Sequence, residues 1–97
     1  MNKYREGVEY YLYNRQKVRE SKELNDQRWS VIIEGIFKKY EGTEMGNLLF
    51  MKYDQKLPEQ TIFEKLNMEK TTYYVWRNRL INEITLQAAY LRLIKPF

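Results

Sequence analysis

Apolar residues recur at intervals of three and four positions along almost the whole chain, and this spacing constrains the fold more than any other feature. The strongest stripe runs from Trp29 to Tyr40 and places apolar side chains on one side of a helix at every turn. No segment shows the sustained two-residue alternation of a half-buried strand. The sequence therefore predicts an all-α fold of about five helices, in a single helical domain that covers residues 1–97.

Capping residues set the helix boundaries in the first half. A first helix is expected over 2–24, followed by an N-cap at Asn25-Asp26 and by the helix that carries the stripe. Gly42 is expected to end this second helix, and Thr43 to cap a third over 44–53. Residues 1–53 would thus be supporting helices. The first and third helices are expected to bury Tyr4, Val8, Tyr11, Leu12, Val18, Met45, Leu48, Leu49, Phe50 and Met51.

The second half contains a short helix, a tight turn and a long helix. Pro58 suits the first position of a short helix that would end near residue 66. Asn67 tolerates the left-handed backbone conformation, which favours a tight turn there. The long helix is then expected from about Lys70 past Tyr90, with Pro96 as its stop.

The apolar residues around this turn have the spacing of a helix-turn-helix, predicted over 57–80. Two short helices that cross steeply need apolar contacts at fixed offsets, and Ile62, Leu66, Met68, Tyr73 and Trp76 supply them at offsets 0, 4, 6, 11 and 14. Asn67 stands where glycine is usual, and Phe63 where alanine is usual. The alternative is a helical hairpin with a polar outer face and no DNA-binding role.

If those five residues face inward, the outward face of the second helix is fixed by geometry and would enter the major groove of DNA. We expect Lys70, Arg77 and Arg79 to neutralise phosphates and Thr72 to donate a hydrogen bond to one. The candidates for contacts with base edges are Thr71, Tyr74, Val75 and Asn78.

The charge distribution changes sign at the same boundary. Residues 54–69 carry two basic and four acidic side chains, whereas residues 70–97 carry five basic and one acidic. A localised positive segment favours an anionic partner, although such segments are also often simply solvated.

Residues 47–80 resemble the C-terminal part of phage late-gene transcriptional regulators of the ArpU/RinA kind, whose domains are similar to region 4 of sigma factors. The matching pieces are 48–53, 61–66 and 68–80, with a Thr-Tyr-Tyr-x-Trp-Arg run that begins at Thr72. The resemblance implies a phage or mobile-element origin and activation of late or packaging genes. Carried over by position, it implies these DNA-facing residues: Lys70, Thr71, Thr72, Tyr74, Val75, Arg77 and Asn78.

A protein-binding role is the alternative to DNA binding. The chain would then modulate a transcription complex by contacting RNA polymerase or another regulator, and Tyr10, Tyr13 or Tyr90 would carry the contact. Catalysis is the weakest class, because the chain has no histidine and no cysteine and therefore lacks the commonest general base and nucleophile pairs. We expect no enzyme activity, no cofactor and no metal.

Two further surfaces carry open alternatives. The segment 81–97 extends the last helix and is apolar on more than one face. Ile84, Ala88 and Leu91 would either form a homodimer contact or be covered by the supporting helices. The basic side of the first helix, with Arg15 and Arg19 among its members, would either contact phosphates or be solvated.

The sequence also predicts where the chain acts. No stretch reaches the roughly 18 apolar residues of a membrane span, and the N-terminus carries charges where a signal peptide needs an apolar run. We therefore expect a cytoplasmic protein of a bacterial host cell, with double-stranded DNA as its partner and no membrane association.

Overall fold

The computed structural model describes residues 3–94, with side chains from residue 6 onward. Within this range the chain forms six α-helices and one π-helical turn, and no strand, which confirms the all-α prediction. The predicted burial of Tyr4 and the predicted stop at Pro96 lie outside the side chains and residues that are described. The elements are α1 (Lys3–Tyr13), α2 (Arg15–Glu20), α3 (Leu24–Lys39), α4 (Glu44–Leu49), the π-helical turn (Phe50–Asp54), α5 (Glu59–Lys65) and α6 (Lys70–Tyr90).

The prediction of one continuous first helix is wrong, because Asn14 divides it into α1 and α2. The backbone of Asn14 leaves helical geometry at φ −106° and ψ 28°. Its side-chain amide donates to the carbonyl oxygen of Tyr10 at 2.8 Å, an acceptor that its own backbone N–H also uses. Asparagine offers the backbone such an alternative to the regular helical ladder. The break redirects α2, which buries Val18 and contacts α3.

The predicted N-cap at Asn25-Asp26 is also wrong, since α3 already begins at Leu24. Ser21 organises the connection instead. Its hydroxyl accepts from the backbone N–H of Glu23 at 3.2 Å and donates to the Asp26 carboxylate at 2.8 Å.

The third predicted helix has the expected extent but not a uniform geometry. The Thr43 hydroxyl accepts from the backbone N–H of Gly46 at 3.1 Å, as predicted. Gly42, at φ 80°, lies in the turn before it, but α3 already ends at Lys39, so the prediction that Gly42 ends this helix is wrong. The final turn is π-helical, so its side chains are rotated from their α-helical positions. Phe50 is therefore half-exposed rather than in the core, whereas Lys52 and Tyr53 are buried.

α5 and α6 are joined by the tight turn that the sequence predicts. Asn67 has φ 53°, its N–H donates to the carbonyl oxygen of Glu64 at 3.1 Å, and the N–H of Met68 donates to that of Phe63 at 2.9 Å. This pair of bonds is the Schellman motif that ends many helices. Pro58 directly precedes α5 instead of occupying its first position.

The same motif ends α6. The N–H of Arg92, at φ 60°, donates to the carbonyl oxygen of Ala89 at 3.0 Å, and the N–H of Leu93 donates to that of Ala88 at 2.8 Å. The long helix thus ends at Tyr90 by backbone capping, so the prediction that it continues past this residue is wrong.

One core joins the supporting helices to α6. Helices α1 and α3 both pack on α6. The buried apolar residues are Val8, Leu12, Val18, Trp29, Ile32, Ile33, Ile36, Leu48, Leu49, Tyr53, Ile62, Tyr73, Leu80, Ile81, Ile84 and Ala88. No helix within residues 3–94 is long and apolar enough to cross a bilayer.

Candidate nucleic-acid interface

The N-terminal half of α6 packs with one side on the rest of the domain and exposes the other. Tyr73 and Leu80 are buried on the inner side. Six of the eight residues predicted to contact DNA are exposed to solvent: Lys70, Thr71, Thr72, Val75, Asn78 and Arg79. Val75 is apolar. The side chains of the other five form no hydrogen bond or ion pair with the described residues, so their donors and acceptors are available to a ligand.

The apolar residues predicted to hold the turn face inward. Ile62 and Tyr73 are completely buried, and Leu66, Met68 and Trp76 are partly buried against the core. The bulky ring at Phe63 is accommodated by the tyrosine of α6: the Phe63 and Tyr73 ring centroids lie 5.7 Å apart at 59°.

A single carboxylate ties α6 to α5 and to the π-helical turn. Glu59 Oε2 accepts from the Tyr73 hydroxyl at 2.7 Å, from Arg77 Nη1 at 2.8 Å and from Lys52 Nζ at 3.2 Å. Lys52 Nζ also donates to the Tyr13 hydroxyl of α1 at 2.9 Å. We call Lys52, Glu59, Tyr73 and Arg77 the Glu59 cluster. Because its members come from three elements, it fixes the direction in which α6 presents its outer side.

Burial and charge shift the proton affinities in this cluster. Burial raises the pKa of Tyr73, and the hydrogen bond to Glu59 raises it further. Burial disfavours the charged form of Lys52, but the hydrogen bond to Tyr13 and the charge of Glu59 outweigh it, so the pKa of Lys52 lies above its ordinary value. Tyr73 is therefore a neutral donor and Lys52 a cation at neutral pH, which suits both to a carboxylate acceptor.

The expectation that Arg77 and Tyr74 belong to the exposed face is wrong. The Arg77 guanidinium is mostly buried in its ion pair with Glu59 and lies over the Tyr74 ring at 4.7 Å. Its Nε has no hydrogen-bond partner among the described residues. The Tyr74 hydroxyl is 3.4 Å from Glu59 Oε1. Helical periodicity places both residues beside the buried stripe, and the carboxylate on α5 draws them inward.

One exposed residue of α6 was missed in the sequence analysis. Asn82 is exposed and follows Asn78 by four positions, so the two side chains lie one above the other. Thr71 and Val75 continue the same line toward the start of the helix. The interval of four residues between Asn78 and Asn82 could have indicated this position. The predicted interface, however, stopped at Leu80, where the helix-turn-helix pattern ends.

Of the two alternatives for the segment 81–97, cover by the supporting helices holds for Ile84 and Ala88. Ile84 and Ala88 are completely buried, because α1 and α3 cover this side of α6. Leu91 is half-exposed. It lies beside Leu86, which is 71% exposed, and Tyr90, which is 87% exposed. These three residues, the C-terminal patch, line a shallow depression together with Gln87.

The basic side chains of α2 are partly held by carboxylates. Arg15 donates to both Glu34 oxygens, at 2.6 and 2.9 Å, and to Asp54 at 2.7 Å, with its guanidinium 3.6 Å from the centre of the Phe37 ring. The hydrogen bond from Arg15 holds the pKa of Glu34 below its usual range. Arg19 Nη1 lies 3.6 Å from Glu34 and is half-exposed. Arg15 is therefore a structural cation rather than a phosphate contact.

Of the three consecutive or near-consecutive tyrosines at the end of α1, two are packed inside the domain and one is half-exposed. Tyr11 stacks on Trp29 with centroids 4.3 Å apart, and Tyr13 packs edge-on against Tyr53 at 4.8 Å. Tyr10 is half-exposed.

The fold and this surface define a small all-α domain in which a short helix and a long helix are joined by a tight turn, with the outer side of the long helix open. By sequence, the chain belongs to DUF1492, a family of proteins of unknown function, which matches residues 18–85. That range includes the turn and the exposed part of α6. No curated protein and no solved structure matches the chain significantly.

Proposed function

We propose that this protein is a sequence-specific DNA-binding transcriptional regulator of phage or mobile-element origin. It acts in the cytoplasm of a bacterial host and inserts the N-terminal half of α6 into the major groove. The observation that carries the proposal is the N-terminal half of α6, where Lys70, Thr71, Thr72, Val75, Asn78 and Arg79 are all exposed directly after a tight turn.

The chemistry of this side suits duplex DNA. Threonine and asparagine side chains donate and accept hydrogen bonds at base edges, and an exposed valine fits the methyl group of thymine. Lys70 and Arg79 are exposed cations that suit the phosphates on either side of the groove. The resemblance to late-gene regulators of the ArpU/RinA kind covers the same segment and supports the same role.

The test is fluorescence anisotropy with random-sequence duplex DNA across a salt series. We expect binding that weakens with salt, and a slope of log K against log salt that is smaller by about 1 in Lys70→Ala and in Arg79→Ala. The matched control is Lys38→Ala, which removes an exposed lysine from α3 and should leave the slope unchanged. Absence of binding at low salt would refute the proposal. Arg77 is not used here, because its removal would disturb the Glu59 cluster.

The second candidate is a protein-binding modulator of a transcription complex that contacts RNA polymerase or another regulator. The C-terminal patch favours it, since Leu86 and Tyr90 are among the most exposed large apolar side chains in the described chain. Pull-down with purified host RNA polymerase discriminates the two candidates. If Tyr90→Ala loses binding to RNA polymerase while its affinity for DNA is unchanged, the patch is assigned to a protein partner. If Tyr90→Ala keeps both activities, the patch has no role in binding RNA polymerase.

A further inference from the structure

We infer that the protein reads an A·T-rich site of up to about five base pairs through a line of four side chains on α6: Thr71, Val75, Asn78 and Asn82. This inference rests on the proposed function and names the class of DNA sequence that the same surface recognises. It assigns to Asn82 a base-reading role that the helix-turn-helix pattern does not include.

The four residues share one side of the helix. At about 100° per residue, Asn82 lies about 20° from Val75 around the helix axis, Thr71 about 40° and Asn78 about 60°. All four are exposed, and the buried residues Tyr73, Leu80 and Ile84 lie on the opposite side. From Thr71 to Asn82 the helix rises about 17 Å, which corresponds to about five base-pair steps.

The side chains along this line match the edges of A·T pairs. An asparagine amide donates to N7 and accepts from N6 of adenine when both bonds form together, and Asn78 and Asn82 provide two such groups one helical turn apart. Val75 and the methyl group of Thr71 are apolar and suit the C5-methyl of thymine. No carboxylate, the usual acceptor for cytosine, is among the four.

One side chain of α6 that could contact guanine is engaged inside the domain. Arginine and lysine are the side chains that most often contact guanine, and the N-terminal half of α6 carries Lys70 and two arginines. Lys70 lies about 140° from Val75 around the helix axis, away from the line of four residues. Arg77 is held by Glu59 and covered by Tyr74. Arg79 is exposed and lies about 40° from Val75, on the side away from the asparagines. We assign Arg79 to a phosphate at the groove edge, and its role as a guanine reader is the competing outcome.

The experiment starts with selection of binding sites from a random-sequence duplex pool by the full chain. We expect enrichment of a motif in which A·T pairs predominate. The selected duplex is then prepared in two modified forms, one with deoxyuridine for thymine, which removes the C5-methyl, and one with 7-deazaadenine, which removes N7. We expect each modification to weaken wild-type binding by about 5- to 100-fold, the range of a lost base contact.

Matched variants connect each modification to a side chain. Val75→Ala should lose part of the preference for the thymine duplex over the deoxyuridine duplex, and Asn82→Ala should lose part of the sensitivity to 7-deazaadenine. Gln87→Ala, which removes an exposed amide elsewhere on α6, should behave as wild type in both comparisons. Circular dichroism confirms that the variants fold.

The outcomes separate this inference from the function on which it rests. Absence of any enriched sequence together with absence of DNA binding would overturn both. Enrichment of a G·C motif that is lost in Arg79→Ala would overturn the inference and leave the DNA-binding function intact. An A·T motif whose binding is unchanged by either modification would also overturn it, because recognition would then follow from the shape of the duplex.

Discussion

Replacement of Glu59 by glutamine tests whether one carboxylate holds the long helix in place. Glu59→Gln keeps the shape of the side chain but removes the charge that Lys52 and Arg77 share at 3.2 and 2.8 Å. The side chains of these two cations are only 6% and 13% exposed. In the variant, two nearly buried cations would face a neutral amide, and the Tyr73 hydroxyl would compete for its one oxygen.

The magnitude follows from burial. Breaking a buried ion pair by removing one partner costs about 3–5 kcal/mol of unfolding free energy. The Glu59 side chain is 31% exposed, so water reaches its site and recovers part of this loss. We therefore expect Glu59→Gln to lower the free energy of unfolding by about 2–3 kcal/mol, a large part of the stability of a domain of this size.

The assay is urea denaturation followed by tryptophan fluorescence at pH 7. The control is Glu64→Gln, an exposed carboxylate on the same helix, which should change the free energy of unfolding by less than about 0.5 kcal/mol. In a double-mutant cycle, Arg77→Met should cost less in the Glu59→Gln background than in wild type. A loss below about 1 kcal/mol for Glu59→Gln, or strict additivity in the cycle, would refute the view that the Glu59 cluster orients α6.

Three further predictions concern the backbone and the second ion-pair network. Gly46→Ala should destabilise the fold by about 1–3 kcal/mol in thermal denaturation, because the added Cβ would clash with a backbone carbonyl of the preceding turn; the control Gly35→Ala, in open space within α3, should instead stabilise it by about 0.5–1 kcal/mol. Asn67→Gly should be neutral or slightly stabilising and Asn67→Ala destabilising by about 1 kcal/mol, since φ is 53° there; equal stability of the two would contradict the left-handed turn. The lowered pKa of Glu34 means that its ion pair with Arg15 stabilises the fold above the ordinary carboxyl range and is lost as pH falls through the lower folded value. Glu34→Gln should therefore be less stable than wild type at pH 7 in urea titrations, with a difference that closes below about pH 4, and a constant difference would contradict this assignment.

Much of the fold was predictable because local signals act within a few residues. Thr43 capped α4 as predicted, Gly42 took the left-handed conformation in the turn before it, and Asn67 made the turn between α5 and α6. The break at Asn14 was not predictable from apolar periodicity, because a side chain that bonds back to the helical backbone leaves the apolar pattern intact. The π-helical turn was also not predictable, because the change in backbone hydrogen bonding leaves no mark in the spacing of the apolar residues. The burial of Lys52, which lies in this turn, was therefore not predicted either.

The candidate site was predictable only in part. Periodicity placed Thr71, Val75 and Asn78 on the outer side of α6, and the structure has them exposed. It could not show that Arg77 pairs with Glu59, because the two residues lie 18 positions apart and meet only through the packing of α5 on α6. Long-range ion pairs of this kind follow from tertiary structure and leave no local pattern in the sequence.

The ion pair of Arg77 with Glu59 reduces the number of cations on α6 that can contact phosphates. The N-terminal half of the helix is left with two exposed cations, Lys70 and Arg79. Two phosphate contacts would weaken binding only about 12-fold between 50 and 200 mM salt. If α6 alone meets DNA, affinity for random sequence should therefore be weak and only mildly dependent on salt, and most of the discrimination must come from contacts with base edges. A salt slope above about 4 would instead require further cations, and Lys17 and the half-exposed Arg19 on α2 are candidates. The wild-type slope thus decides whether the basic side of the first two helices is a solvated surface or a second part of the DNA-binding interface.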